Sequence, residues 1–273
     1  MKLGRRIAAL LLILAAVLVA VRAAWTIGRG VDNAKEFFYG FIGKDVDTPS
    51  EDSYSNEDGY ITETKLIPVR GVDTVSLEVD AAQIKLKVGG GSDIVVEAAY
   101  NEKNFVVDNA FSAVRSNGTA TISLKLKTLN FTIGKSVRRS VLTVTIPEKF
   151  KGSLNLHFNA CVFDGDSGNA SSISLNANAV KLELRGISGS LSAKINAGDS
   201  EFYVRGAAGD INITSSACAT KINLPAKSNF KVSPKMNAGT CKNNYDDKVE
   251  RKGKEYALNL TGNAAAFTVD VTD

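Results

Sequence analysis

Histidine is nearly absent from this chain: His157 is the only one in 273 residues. Cysteine is scarce as well, with three scattered residues, and there are two methionines, one tryptophan and five prolines. So few imidazoles and thiols leave no ligand set with zinc spacing and little for a His-based active site. Three unclustered cysteines exclude a disulfide framework. The 23 glycines follow no triplet period, which excludes a collagen-like chain. No charge dominates either, with 33 Lys and Arg against 29 Asp and Glu. The chain is 44% hydrophobic and 23% charged. Those are the fractions of a globular protein. Length allows one or two domains.

The one long hydrophobic run sits at the N-terminus. Lys2, Arg5 and Arg6 precede an uninterrupted apolar stretch from Ile7 to Val21. Fifteen residues span only about 22 Å as a helix, but continuation to Ile27 approaches the roughly 30 Å hydrocarbon core. Arg22 near the far end can snorkel, and Trp25 suits the interface. A signal anchor over residues 1–28 is the reading taken, with a signal peptide cleaved near Ala23 or Ala24 as the alternative. In both, the basic cluster stays cytoplasmic and the remainder is exported, giving a single-pass cell-membrane protein with an extracytoplasmic C-terminal domain.

Residues 31–42 are rich in aromatics. As a helix they place Val31, Ala34, Phe38, Phe41 and Ile42 on one face, fit for the membrane surface or for packing on the exported domain. Residues 43–60 hold six acids against one Lys, with Pro49, and read as a solvated spacer. Residues 29–60 are thus juxtamembrane segment and spacer.

From Ile61 to the end the texture is β. Runs such as Val75–Val79, Ile84–Val88 and Val141–Ile146 alternate or are β-branched, and Gly, Asn or Asp clusters separate them. Asn-Ala pairs recur from Asn159, Asn178, Asn196, Asn237 and Asn263, with Ser216-Ala217 filling the gap. Their spacing stays near one value and lengthens only at the last step. A period of about 20 residues in a strand-rich chain predicts an all-β solenoid, one coil per repeat. In it, Asn159, Asn178, Asn196, Ser216, Asn237 and Asn263 form a ladder at one corner, with Ala filling the narrow interior beside it. An Asn-rich antiparallel sandwich is the competing architecture. Asp80-Ala81 occupies the Asn-Ala place in the earlier half, and 256–271 reads as the final coil.

An N-terminal anchor, a polar spacer, a strand ending Leu142-Thr-Val-Thr-Ile-Pro147, then coils such as Leu154-Asn-Leu-His-Phe-Asn-Ala160 and Gly189-Ser-Leu-Ser-Ala-Lys-Ile-Asn-Ala197 together resemble the bacterial putative-adhesin domain family. The resemblance covers about residues 65–273. It implies a β-solenoid-like envelope domain that is not catalytic, and it brings no catalytic residues to carry over.

The remaining chemistry is thin. His157 lies on the polar side of its strand with no nominated partner. Asp164, Asp166 and Asn169 share one turn, where acids around Gly can aim oxygens at Ca²⁺. The distal Glu of a calcium loop is missing, however, and a coil corner is the preferred reading. Cys161 and Cys218 follow their repeat pairs two coils apart, too far to bridge, whereas Cys218 and Cys241 fall on neighbouring coils where a disulfide is an open alternative. Basic residues concentrate at Lys135, Arg138 and Arg139 and at Lys248, Arg251, Lys252 and Lys254, a candidate patch for an anionic cell-wall polymer or envelope partner. Nucleic acid is excluded by export and by the absence of interleaved aromatics. No catalytic, cofactor or metal residue is nominated. The expectation is a non-enzymatic, membrane-tethered protein of display, adhesion or envelope-stress accessory work. The alternatives are a scaffold acting through residues 7–42 and, less favoured, a carbohydrate-active β-helix enzyme.

Overall fold

A computed structural model describes residues 60–101, 111–125, 140–206, 209–245 and 253–272. The expected membrane helix over 1–28 and the spacer lie outside the described residues, save Tyr60, which opens the first strand. Every regular element described is a strand.

Seven strands build the first half: β1 (Tyr60–Pro68), β2 (Thr74–Asp80), β3 (Ala82–Gly89), β4 (Asp93–Asn101), β5 (Phe111–Ser116), β6 (Thr119–Leu124) and β7 (Ser140–Pro147). The repeats follow as pairs that turn one corner: β8 (Ser153–Asn159) with β9 (Val162–Asp166), β10 (Ser172–Asn178) with β11 (Val180–Ile187), and β12 (Ser190–Ile195) with β13 (Gly198–Val204). After β14 (Ile211–Ser216) and β15 (Cys218–Pro225), two long strands, β16 (Phe230–Asn243) and β17 (Tyr256–Thr272), each run round the corner unbroken.

Strands of successive coils pair parallel and in register. Ser172 lies on Ser153 and Ser190 on Ser172, so each outward position forms a column along the stack and each inward position another. Two stacks face each other. One runs β6, β2, β8, β10, β12, β14 and the first halves of β17 and β16. The other runs β7, β3, β9, β11, β13, β15 and the second halves of the same two strands. Antiparallel strands close the near end, β4 and β1 on the second stack and β5 on the first.

Alternation explains the core. Leu77, Leu156, Leu175 and Ile213 stack inward in one column, all buried, while the residues between them face outward. Where a ring enters, its neighbour is small: a Cβ on Gly165 would stand 2.5 Å from the Phe163 ring, which also stacks on Phe158 with centroids 5.0 Å apart. Three buried hydroxyls interrupt the apolar interior of two neighbouring coils and satisfy one another, Ser200 with Thr220 at 2.9 Å across the rungs and Ser215 with Thr220 at 3.0 Å.

The order of rungs departs from the order of the chain at both ends. β2 and β3 lie between β6–β7 and β8–β9. β17 lies between β14–β15 and β16, so the sequence-final coil is not the spatially final one. This corrects the reading of Cys218 and Cys241 as neighbours. The β17 rung separates them, about 9.6 Å at two strand spacings, beyond the reach of a disulfide. All three cysteines are free. Cys161 and Cys218 are three rungs apart rather than two.

Candidate functional site

The recurring pair marks the corner between the stacks, and its two residues do different work. Asn159 Nδ2 donates to Asp80 Oδ1 at 2.7 Å, Asn178 Nδ2 donates to Asn159 Oδ1 at 2.8 Å, and Asn196 Nδ2 donates to Asn178 Oδ1. This ladder runs one way and ends on a carboxylate, an acceptor-only group that suits a terminus. Among the described residues no side-chain bond carries it through Ser216, whose hydroxyl is too short. A second segment resumes beyond it, with Asn237 Nδ2 donating to Asn263 Oδ1 at 2.5 Å. The sequence-predicted ladder residues are therefore brought together, in two pieces.

The alanines are not interior fillers. Ala81, Ala160, Ala179, Ala217 and Ala264 are half-buried and hold φ between 51° and 53°, the left-handed region. That conformation turns the chain from one stack to the other, and it costs an L-residue about 1–2 kcal/mol. In the two corners where Gly follows the pair, the positive φ moves onto it: Gly198 (124°) and Gly239 (116°).

The outer face of the second stack is charged and mostly compensated. Asp164, Glu183 and Glu201 occupy one column on successive rungs. Arg185 bridges the first two, at 2.5 Å to Glu183 Oε1 and in direct contact with Asp164. Lys221 pairs with Glu201 at 3.0 Å and lies 3.8 Å from Asp270. Burial pushes the Glu201 carboxyl up, but hydrogen bonds from Asn223 and Lys221 outweigh it and leave it below its usual value. On the first stack Lys125 lies 2.5 Å from Glu78, and that hydrogen bond holds the Glu78 carboxyl down.

The residues considered for catalysis or calcium are engaged or isolated. His157 is exposed and in register with Glu78 across one rung, with no hydrogen-bonded partner among the described residues. Asp164 is held by Arg185, Asp166 Oδ1 accepts from the Gly168 amide at 2.7 Å, and Asn169 donates to the Glu148 carbonyl at 2.9 Å while accepting from Arg205 at 2.9 Å. These side chains pin the rim of the coils and do not converge. Among the described residues no group of three or more His, Cys, Asp or Glu is arranged to hold a metal. The buried Ser200, Thr220 and Ser215 bond to one another, with no described base beside them.

The strongest departure from charge compensation lies at the far end. β16 and its flanks expose Lys227, Lys231, Lys235 and Lys242, and none has an ion-pair partner among the described residues. Lys254 joins them, 5.1 Å from the Tyr256 ring centroid. Of the predicted patch only Lys254 is described; Lys135, Arg138, Arg139, Lys248, Arg251 and Lys252 lie outside. The four lysines from 227 to 242 were missed because they read as outward residues of one more repeat. Only the rung order shows that their strand is the last.

Comparison with known proteins places the family. The family model described as Toastrack DUF4097 matches residues 72–228, more than half of the chain. The chain belongs to the Toastrack family. The match runs from just before β2 to just after β15, so it takes in the regular coils and leaves β16 and β17 outside. A solved structure described as a "putative cell adhesion protein" from Clostridium sporogenes is 14% identical, covering 78% of this chain and all (100%) of that one, with a TM-score of 0.48. A "putative adhesin" from Bacteroides fragilis is 10% identical over 77% of this chain and 97% of its own, with a TM-score of 0.36. No curated protein matches.

Proposed function

We propose that this Toastrack protein is a non-catalytic display module, tethered to the membrane by its N-terminal helix and exposed outside the cytoplasm, whose free end meets an anionic partner. One observation carries the reading: the acids in the outer column of the second stack are matched by Arg185 and Lys221, whereas four lysines gather on the terminal rung and its flank with no ion-pair partner among the described residues. The chain enters at β1, and nine strand spacings separate β1 from β16 on the second stack, about 43 Å. A tether entering at β1 therefore joins the stack at the end opposite the basic rung. Lysines act here as mobile point charges, suited to a polyanion rather than to a fixed bidentate ligand.

The test uses cells expressing the full chain. External protease is expected to remove the 60–272 domain from intact spheroplasts. Washed membranes are expected to retain labelled polyphosphate, a polyanionic probe, in a salt-sensitive manner. The variant with Lys227, Lys231, Lys235 and Lys242 all changed to Glu is expected to lose that retention. Protection of the domain from external protease sinks the display reading, and undiminished retention by the variant sinks the basic end as its contact.

A further inference from the structure

The anionic partner has a candidate within the chain itself. Residues 43–59 carry Asp45, Asp47, Glu51, Asp52, Glu57 and Asp58 against Lys44 alone, a net charge of −5. The far end is the complement: its described residues 226–245 and 253–255 hold five Lys and one acid, a net charge of +4. On the outer face of the second stack acids are answered by nearby cations, as Asp164 and Glu183 are by Arg185 and Glu201 is by Lys221. Among the described residues, the lysines of β16 have no ion-pair partner.

We infer that the basic end docks the acidic segment 43–59 of a second copy of this chain, joining copies head to tail. The inference rests on the reading that this end takes an anionic partner, and it names that partner. Reach decides between the same copy and another. Fully extended chain spans at most about 3.6 Å per residue, so Asp52, eight residues before Tyr60, extends no more than about 29 Å from β1. The basic end is about 43 Å away along the stack. Within one molecule Glu51, Asp52, Glu57 and Asp58 fall short, and only Asp45 and Asp47 arrive, on a taut chain. A second copy can present all six.

The end of the stack is also built against the simpler contact. An exposed last rung invites strand-on-strand stacking of two copies. β16, however, carries Lys231, Lys235 and Lys242 along its length and Pro234 in its middle, which has no N–H to donate. Two such ends repel each other. An acidic segment meets the same lysines favourably and needs no strand register. Because the two surfaces of the contact differ, it is heterologous, and it propagates into open chains of copies rather than closing as a dimer.

The experiment is zero-length carbodiimide coupling of detergent-solubilised full chain, mixing unlabelled and ¹⁵N-labelled protein. Mixed-isotope peptides are expected to join Lys227, Lys231, Lys235 or Lys242 to carboxylates of segment 43–59, with a ladder of covalent oligomers that disappears at high salt. Lys231→Glu, Lys235→Glu and Lys242→Glu together are expected to abolish the ladder. Adding Asp45→Lys, Glu51→Lys and Asp52→Lys is expected to restore it, which a merely misfolded variant could not do. Cross-links confined to single-isotope pairs, a closed dimer, or no coupling of wild type overturn the inference. If coupling is absent while polyphosphate still binds through the four lysines, self-docking fails and the anionic-partner reading stands. If both are absent, both fail.

Discussion

Gly198→Ala tests whether the corner geometry governs stability. The residue holds φ at 124°, and a Cβ there would stand 1.9 Å from the Val180 carbonyl oxygen of the adjacent rung. The dihedral alone costs about 1–3 kcal/mol for a residue with a side chain. Relief of the clash requires the rungs to part where Val180 pairs with Gly198, straining the 3.0 Å bond from the Val180 amide to the Ala197 carbonyl. Losing one or two such bonds adds about 1–2 kcal/mol. Reduced unfolded-state entropy returns about 0.5–1 kcal/mol. The expected net loss is about 3 kcal/mol, or a fall in Tm of roughly 10 °C for a domain of this size. Scanning calorimetry and denaturant titration measure it. Gly206→Ala is the control, since among the described residues no atom beyond its chain neighbours lies within 4 Å of its would-be Cβ and its φ is not positive. A change within about 0.5 kcal/mol is expected there. A loss below about 1 kcal/mol at Gly198, or equal losses at both sites, would refute the argument that the rung spacing is fixed by this corner.

Three smaller perturbations probe other parts of the stack. Asn178→Ala removes a donor to Asn159 and an acceptor for Asn196 at an exposed corner. A destabilisation of about 1 kcal/mol is expected in urea unfolding, with little added by Asn196→Ala because the shared bond is already gone. Burial pushes the Cys161 and Cys218 thiols up to about 12. Iodoacetamide at neutral pH is therefore expected to modify half-buried Cys241 first and the other two only on unfolding, as read by mass spectrometry. Glu78 and Glu201 have carboxyls held below their ordinary value of 4.5. Their contribution is present above that unfolded value and is lost as pH falls through the lower folded ones, so Glu78→Gln and Glu201→Gln are each expected to flatten the acid limb of a Tm-against-pH curve.

The strands and their repeat were legible because burial in a two-sided stack imposes strict alternation, and Leu154, Leu156 and Phe158 announce one face without ambiguity. The pair at 159–160 and its recurrences fall at the corner between the stacks, where an amide ladder needs the same residue at the same turn of each coil. The role of Ala did not show. A positive φ leaves no trace in composition when the residue is neither Gly nor Asn. The two corners with Gly198 and Gly239 were the available clue that the turn needs that conformation. The position of β16 was hidden for a different reason. Adjacency in sequence suggests adjacency in the stack, and only the lengthened last interval, from Asn237 to Asn263, signalled a chain with room to cross back. With β16 misplaced, the lysines that form the far end could not be seen as a group.

The permuted ends have a physical logic. From β8 to β15 each coil lies on the one just before it, a single repeat away in sequence, so these rungs form from local contacts. At the C-terminal end the chain passes over the nearest vacant rung, lays β16 one place further out, and returns to insert β17, so that Ile211 pairs with Leu258 and Asn212 with Asn259. More than doubling the loop in this way adds a small closure cost, about 0.8 kcal/mol. In return β17, a 17-residue strand, is paired on both sides with Phe267 and Val269 fully buried. The exposed edge falls instead to a strand held at both of its ends and lined with lysine. A last rung built this way resists strand-on-strand association, and charge is the handle it leaves for recognition.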